Sequence, residues 1–187
     1  MSILAISGSL RSGSLNTRLL CEIAEQAPAG TDIERWDNLR SIPPYDADDD
    51  TAPAPRAVDE LRRAVSEADG LLIATPEYNS SIPGTLKNAI DWVSRPRDKT
   101  PLQNKPAAVV GATTGQFGAV WAQAELRKVL SSTGARVVDL DLPVAKADRV
   151  LAEHGRLMAD ERLLARSREI MDDLQSEIAR DRELTAV

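Results

Sequence analysis

Five short apolar runs alternating with helical patterns predict a doubly wound α/β fold built on a parallel five-stranded sheet. Two of the runs, Leu71-Leu72-Ile73 and Val109-Val110, lack polar alternation, as central strands buried on both faces should. Leu163, Ile170, Leu174 and Ile178 form one stripe within residues 160–180, as expected of an amphipathic helix covering such a sheet. At 187 residues, 42% hydrophobic and 28% charged, the chain is long enough to bury a full sheet between helices. A single domain spanning 1–187 is expected.

The elements follow in order. A strand over Ile3–Ser7 leads through a turn into a helix over Asn16–Ala27, and a second strand over Asp32–Trp36 is followed by an irregular stretch. That stretch, residues 41–55, holds four prolines and the run Asp48-Asp49-Asp50, which reads as a solvated turn because nothing fixes the carboxylates in a coordinating geometry. Helix Ala54–Ala68, strand Gly70–Ala74, helix Gly84–Val93, strand Ala107–Gly111, helix Ala119–Ser132 and strand Arg136–Leu140 complete the alternation before the cover helix.

Composition narrows the function. A formal charge of −6 argues against nucleic acid or an anionic membrane as partner, since both require a basic footprint. No signal-peptide pattern opens the chain and no apolar run approaches the ~18 residues of a spanning helix, so a cytoplasmic location is expected. Cys21 is the one cysteine and falls within the first helical pattern, where a small buried apolar role is the default. The one histidine, His154, has no second histidine or cysteine partner from which a zinc site could be built.

Residues 7–17, Ser-Gly-Ser-Leu-Arg-Ser-Gly-Ser-Leu-Asn-Thr, join a strand to a helix. Small hydrogen-bonding side chains and one arginine gather where backbone N–H groups and the positive end of a helix dipole converge, which suits a phosphate. Gly8 and Gly13 have the glycine spacing of a nucleoside-triphosphate loop, but Ser14 stands where that loop requires lysine. Ser9 and Leu10 follow Gly8, so the Gly-x-Gly of a dinucleotide turn is missing too. A single terminal phosphate remains, such as that of FMN. The competing structural reading is a well-capped helix with Ser14 or Asn16 as cap and Arg11 solvated.

In doubly wound sheets ligands bind beyond the carboxyl ends of the strands, at the point where strand order reverses. The loops after strands one, three and four should therefore be chemically unusual and the other two bland. Residues 75–84, Thr-Pro-Glu-Tyr-Asn-Ser-Ser-Ile-Pro-Gly, are stiffened by two prolines. Residues 112–118, Ala-Thr-Thr-Gly-Gln-Phe-Gly, offer Gly115 and Gly118 for close backbone approach to a ring. Both loops suit a planar heterocycle.

Gly8-Ser9-Leu10-Arg11 with Ser14 and Asn16, Thr75-Pro76-Glu77-Tyr78-Asn79, Ile82-Pro83-Gly84 and Leu86-Lys87-Asn88-Ala89-Ile90-Asp91-Trp92 closely resemble the NAD(P)H-dependent FMN reductase family. The resemblance spans roughly residues 3 to 140. It implies a flavodoxin-like sheet of order 2-1-3-4-5 and places Ser9, Leu10, Arg11, Ser14 and Asn16 at the FMN phosphate. Pro76, Glu77, Tyr78 and Asn79 are implied to line the isoalloxazine, largely through backbone groups, with Thr113, Thr114, Gly115 and Gly118 flanking it opposite. It also implies NADPH or NADH as co-substrate, a small-molecule electron acceptor, and a homodimer or homotetramer with the helix from Gly84 in the interface. Many members carry an arginine about where this chain has Trp121, for which packing in the core or an interface is expected.

The implied reaction is a ping-pong cycle in which FMN supplies the electron chemistry, so no side chain is assigned as catalytic and no metal is expected. Backbone N–H groups near Glu77 and Tyr78 would meet the charge that develops on the reduced ring. Lys87 and Asp91, four apart on one helix, read as an ordinary surface pair. The alternatives are a non-enzymatic flavodoxin-like electron carrier and an FMN-free binding domain.

Overall fold

The computed structural model describes residues 1–185. Strands β1 (Ser2–Ser7), β2 (Asp32–Trp36), β3 (Gly70–Ala74), β4 (Pro106–Ala112) and β5 (Arg136–Val137) are parallel and lie in the order β2-β1-β3-β4-β5. Helices α1 (Leu15–Ala24), α2 (Arg56–Glu67), α3 (Gly84–Val93), α4 (Val120–Ser132), α5 (Ala147–His154) and α6 (Glu161–Thr185) surround the sheet. This is the flavodoxin-like arrangement that the alternation and the resemblance predict.

Period-two alternation divides the central strands between two cores. Leu4 and Ile6, Leu71 and Ile73, and Ala107 and Val109 meet α2, α3 and α4 on one face. Ile3 and Ala5, Leu72 and Ala74, and Ala108 and Val110 meet α1 and α6 on the other, where Ile170, Leu174 and Ile178 are buried. Every residue of β3 and β4 is buried, which explains their unbroken apolar runs.

The fifth strand departs from expectation. Ladder pairing ends at Val137, the chain detours, and β6 (Pro143–Val144) returns to pair with Gly111 and Ala112 at the far end of β4. The buried Gln123 side chain bridges the detour, donating to the carbonyls of Gly118 at 2.9 Å and Leu142 at 3.3 Å and accepting from the Leu142 N–H at 3.0 Å. Asp139 and Asp141 turn toward Arg127 on α4. Two polar residues drawn outward thus interrupt what the apolar pattern presents as one strand.

Other differences are local. Helix α5 is only 8 residues long, and the sequence reading omits it. Cys21 is half-buried and its Sγ accepts from Arg35 at 3.3 Å, so it is less enclosed than a core position. Of the acidic run, Asp50 is tied to Arg62 at 2.9 Å, and no cluster suited to a metal occurs among the described residues. Asn88 and Trp92 strap the long loop after β2 onto α3: Asn88 accepts from the Tyr45 N–H at 2.7 Å, and both residues donate to the Pro43 carbonyl at 2.8 Å. Lys87 and Asp91 form the expected half-exposed pair at 2.6 Å.

Candidate functional site

The order of β2, β1 and β3 puts the reversal between β1 and β3, and the loops after β1, β3 and β4 lie side by side at the carboxyl edge. Gly8 lets the first loop leave β1 tightly. Its N–H bonds the Ala74 carbonyl at 2.8 Å, and a Cβ there would fall 2.9 Å from the Leu86 side chain. Ser14 is the N-cap of α1, its Oγ accepting from the Thr17 N–H at 3.1 Å. The first turn of α1 holds no acidic residue, leaving the positive end of its dipole uncompensated.

Arg11 is exposed on this loop, and its guanidinium has no ion-pair or hydrogen-bond partner among the described residues. The Ser9 hydroxyl is half-buried and accepts a long bond from the Arg11 N–H at 3.5 Å. With Ser9 and Ser14 hydroxyls, α1 N–H groups and a free cation, the donor set fits a phosphate dianion.

Asn16 has a different occupation. It is buried, and both ends of its amide are engaged by one residue: it donates to the Ala112 carbonyl and accepts from the Ala112 N–H, each at 2.9 Å. What it offers a phosphate is its backbone N–H in the first turn of α1. Leu10 packs against the core and accepts a bond from Arg40 on its carbonyl at 3.0 Å.

In the second loop, Pro76 is buried, and residues 78–81 form a tight turn closed by bonds between Tyr78 and Ser81 at 3.0 and 3.1 Å. Asn79 and Ser80 have φ of 53° and 60°, the doubly left-handed conformation of a type I′ turn. The Tyr78 N–H is therefore engaged by Ser81, and of the two expected backbone donors the Glu77 N–H is the one left without a partner among the described residues.

The Glu77 carboxylate accepts the N–H groups of Trp121 and Ala122, both at 3.1 Å. Helix α4 begins from Ala119 at φ 61° with no side-chain cap of its own, so Glu77 caps it from another loop. Glu77→Ala should cost about 1 kcal/mol, the usual value of a helix cap. An unchanged urea midpoint would show that the cap contributes nothing.

The third loop is anchored by Thr113, whose N–H bonds the Val144 carbonyl at 3.0 Å, while Thr114 and Gly115 are exposed. Gly118, at φ 60°, would place a Cβ 2.4 Å from the Pro143 backbone. Glycine is needed there for contact within the fold, a sufficient reason apart from any ring.

Trp121 is not in the core. It is 48% exposed and packs edge-on against Phe117 with ring centroids 4.9 Å apart.

A model of the NADPH-dependent FMN reductase family matches residues 1–148. The chain belongs to that family. An NAD(P)H-dependent FMN reductase of Pseudomonas aeruginosa is 42% identical over 161 residues, 86% of each chain. A quinone reductase of Escherichia coli is 38% identical over 140 residues, 74% of each. Among solved structures, the flavoenzyme NAD(P)H:(acceptor) oxidoreductase FerB of Paracoccus denitrificans superposes with a TM-score of 0.81 at 32% identity, covering 96% of this chain and 97% of that one.

The structure also brings in a residue outside the sequence motifs quoted above. Arg40 follows β2, whose loop the reversal rule expects to be bland, and it shares with Arg11 and Tyr78 an open groove of about 690 Å³. Its signal, one arginine in an irregular loop, has no periodicity by which to be found.

Proposed function

We propose that the chain is a cytoplasmic FMN-dependent oxidoreductase, one domain over 1–187, that passes reducing equivalents from NADH or NADPH to a small-molecule acceptor by a ping-pong cycle. Quinones, free flavins, azo compounds and metal oxyanions are the acceptor classes. FMN, when bound, supplies the two-electron chemistry by taking hydride from the nicotinamide and reducing the acceptor. The single observation carrying this reading is the Arg11 guanidinium, without a partner among the described residues, beside an α1 N-terminus whose first turn holds no acidic residue.

Arg11, the hydroxyls of Ser9 and Ser14 and the backbone of Leu10 and Asn16 hold the phosphate in this proposal. The segments Pro76–Asn79 and Thr113–Gly118 flank the ring, and the Glu77 N–H meets charge developing on it. Those segments orient and polarise; no side chain is assigned a proton. A homodimer or homotetramer is proposed as well, supported by Tyr78, Phe117 and Trp121 standing half-exposed at the same edge.

Steady-state oxidation of NADH and NADPH with a quinone acceptor tests the enzyme reading. Turnover with parallel double-reciprocal lines is expected. A flavin-loaded protein that oxidises neither coenzyme is a carrier, and a colourless protein that takes up no FMN is neither.

A further inference from the structure

We propose that Glu125, on α4 and outside the sequence motifs quoted above, is a positioning residue that sets how strongly the site favours the reduced ring. The inference rests on the oxidoreductase reading above and adds to it a residue that acts through a loop. Glu125 is half-buried, and its carboxylate accepts the N–H of the buried Ile82 at 3.2 Å. From the other side, the Glu77 carboxylate accepts the N–H groups of Trp121 and Ala122, both at 3.1 Å. Each element thus lends the other a carboxylate. The loop caps the helix, and one turn further along the helix holds the loop.

This clasp grips residues 77–82 at both ends. Between the ends, Tyr78 and Ser81 close the turn through Asn79 and Ser80, and Pro76 and Pro83 fix the backbone on either flank. A segment closed in this way is displaced as a unit, so the anchor at Ile82 also fixes residue 77. The Glu77 N–H, the donor proposed to meet charge developing on the ring, is carried on that unit. Helix α4 follows directly from the loop after β4, which is the other ring-flanking segment. The clasp therefore sets the two flanks against each other, and with them the aim of the Glu77 N–H.

The direction of the effect separates this role from simple electrostatics. A carboxylate acting through space disfavours negative charge on the ring, so its removal raises the reduction potential. Loss of a positioned donor lowers it, because the reduced ring carries the charge that the N–H answers.

The test is the reduction potential of the FMN-loaded protein, read by equilibration with a reference dye, for wild type, Glu125→Gln, Glu125→Asp and Glu125→Ala. Glu125→Gln keeps an acceptor for the Ile82 N–H and should match wild type. Glu125→Ala should cut the preference for reduced over oxidised flavin roughly 3- to 10-fold, a potential about 15 to 30 mV more negative for a two-electron couple. Glu125→Asp keeps the charge but stops one methylene short of Ile82, and should fall in the same direction. It also keeps the measurement available if the alanine variant does not fold. Potentials that rise in both Glu125→Gln and Glu125→Ala would make Glu125 a through-space charge and overturn the proposal. So would an unmoved potential in Glu125→Asp, or affinities for both oxidation states that fall in parallel, the mark of a purely structural residue. Protein that takes up no FMN fails the oxidoreductase reading before any potential is measured, whereas FMN-loaded protein with an unmoved potential fails this inference alone.

Discussion

Arg11→Ala should weaken FMN binding roughly 10- to 150-fold, the span of 1.5 to 3 kcal/mol for a hydrogen bond to a charged group. The guanidinium has no partner within the described chain, so its removal breaks no internal contact and stability should be unaffected. Affinity alone is at stake. Arg11→Lys keeps the charge but loses the planar fork, and should fall between the two. Fluorescence titration of apoprotein with FMN measures this directly, and an affinity within twofold of wild type would displace the phosphate from this loop.

Glu22→Ala should be the most damaging substitution for stability. Glu22 lies on α1 with its side chain 2% exposed; it accepts the N–H groups of Leu157 and Met158 at 2.9 Å and pairs with Arg18 at 2.8 Å. Truncation leaves two buried N–H groups unanswered and the connection from α5 to α6 unanchored. Breaking a buried charged network of this kind costs roughly 3 to 5 kcal/mol, or about 6 to 20 °C in Tm for a chain of this size.

The same carboxylate makes stability depend on pH. Burial by itself would raise its pKa, but the Arg18 hydrogen bond and the N–H groups of Met158 and Leu157 outweigh it and hold the carboxyl below its usual value of 4.5. The unfolded chain therefore takes up the proton first. The stabilisation is fully present above pH 4.5 and is lost as pH falls through the lower native value. Urea unfolding of wild type and Glu22→Gln at pH 7 and pH 3.5 checks the sign: the gap between them should narrow in acid, and a constant gap would remove Glu22 from the acid sensitivity.

The positions of β1 to β4 were legible because each is written locally, whereas their order came with the family resemblance. Unbroken apolar runs mark β3 and β4, and small polar residues after β1 mark a turn into a helix. What escaped the sequence acts at long range. Asn16 bonds a residue 96 positions away, and Glu77 caps a helix 44 positions on. A side-chain amide or carboxylate that satisfies distant backbone leaves no period in the chain. Motif spacing suggests a ligand role for such residues when a tertiary bond already occupies the side chain. The edge beyond β4 failed for another reason: Val138, Leu140 and Leu142 alternate as a strand does, yet Asp139 and Asp141 follow Arg127 out of the ladder.

The paired bonds between Asn16 and Ala112 bear on how fast a ligand can be captured. They tie the first turn of α1 to the end of β4, joining the loop proposed for the phosphate to the loop beside it. A site tied in this way should need no slow rearrangement on association, and the observed rate of FMN uptake in stopped flow should scale with ligand concentration without a plateau. Loss of the clamp would introduce a concentration-independent step, turning a docking event into a folding one.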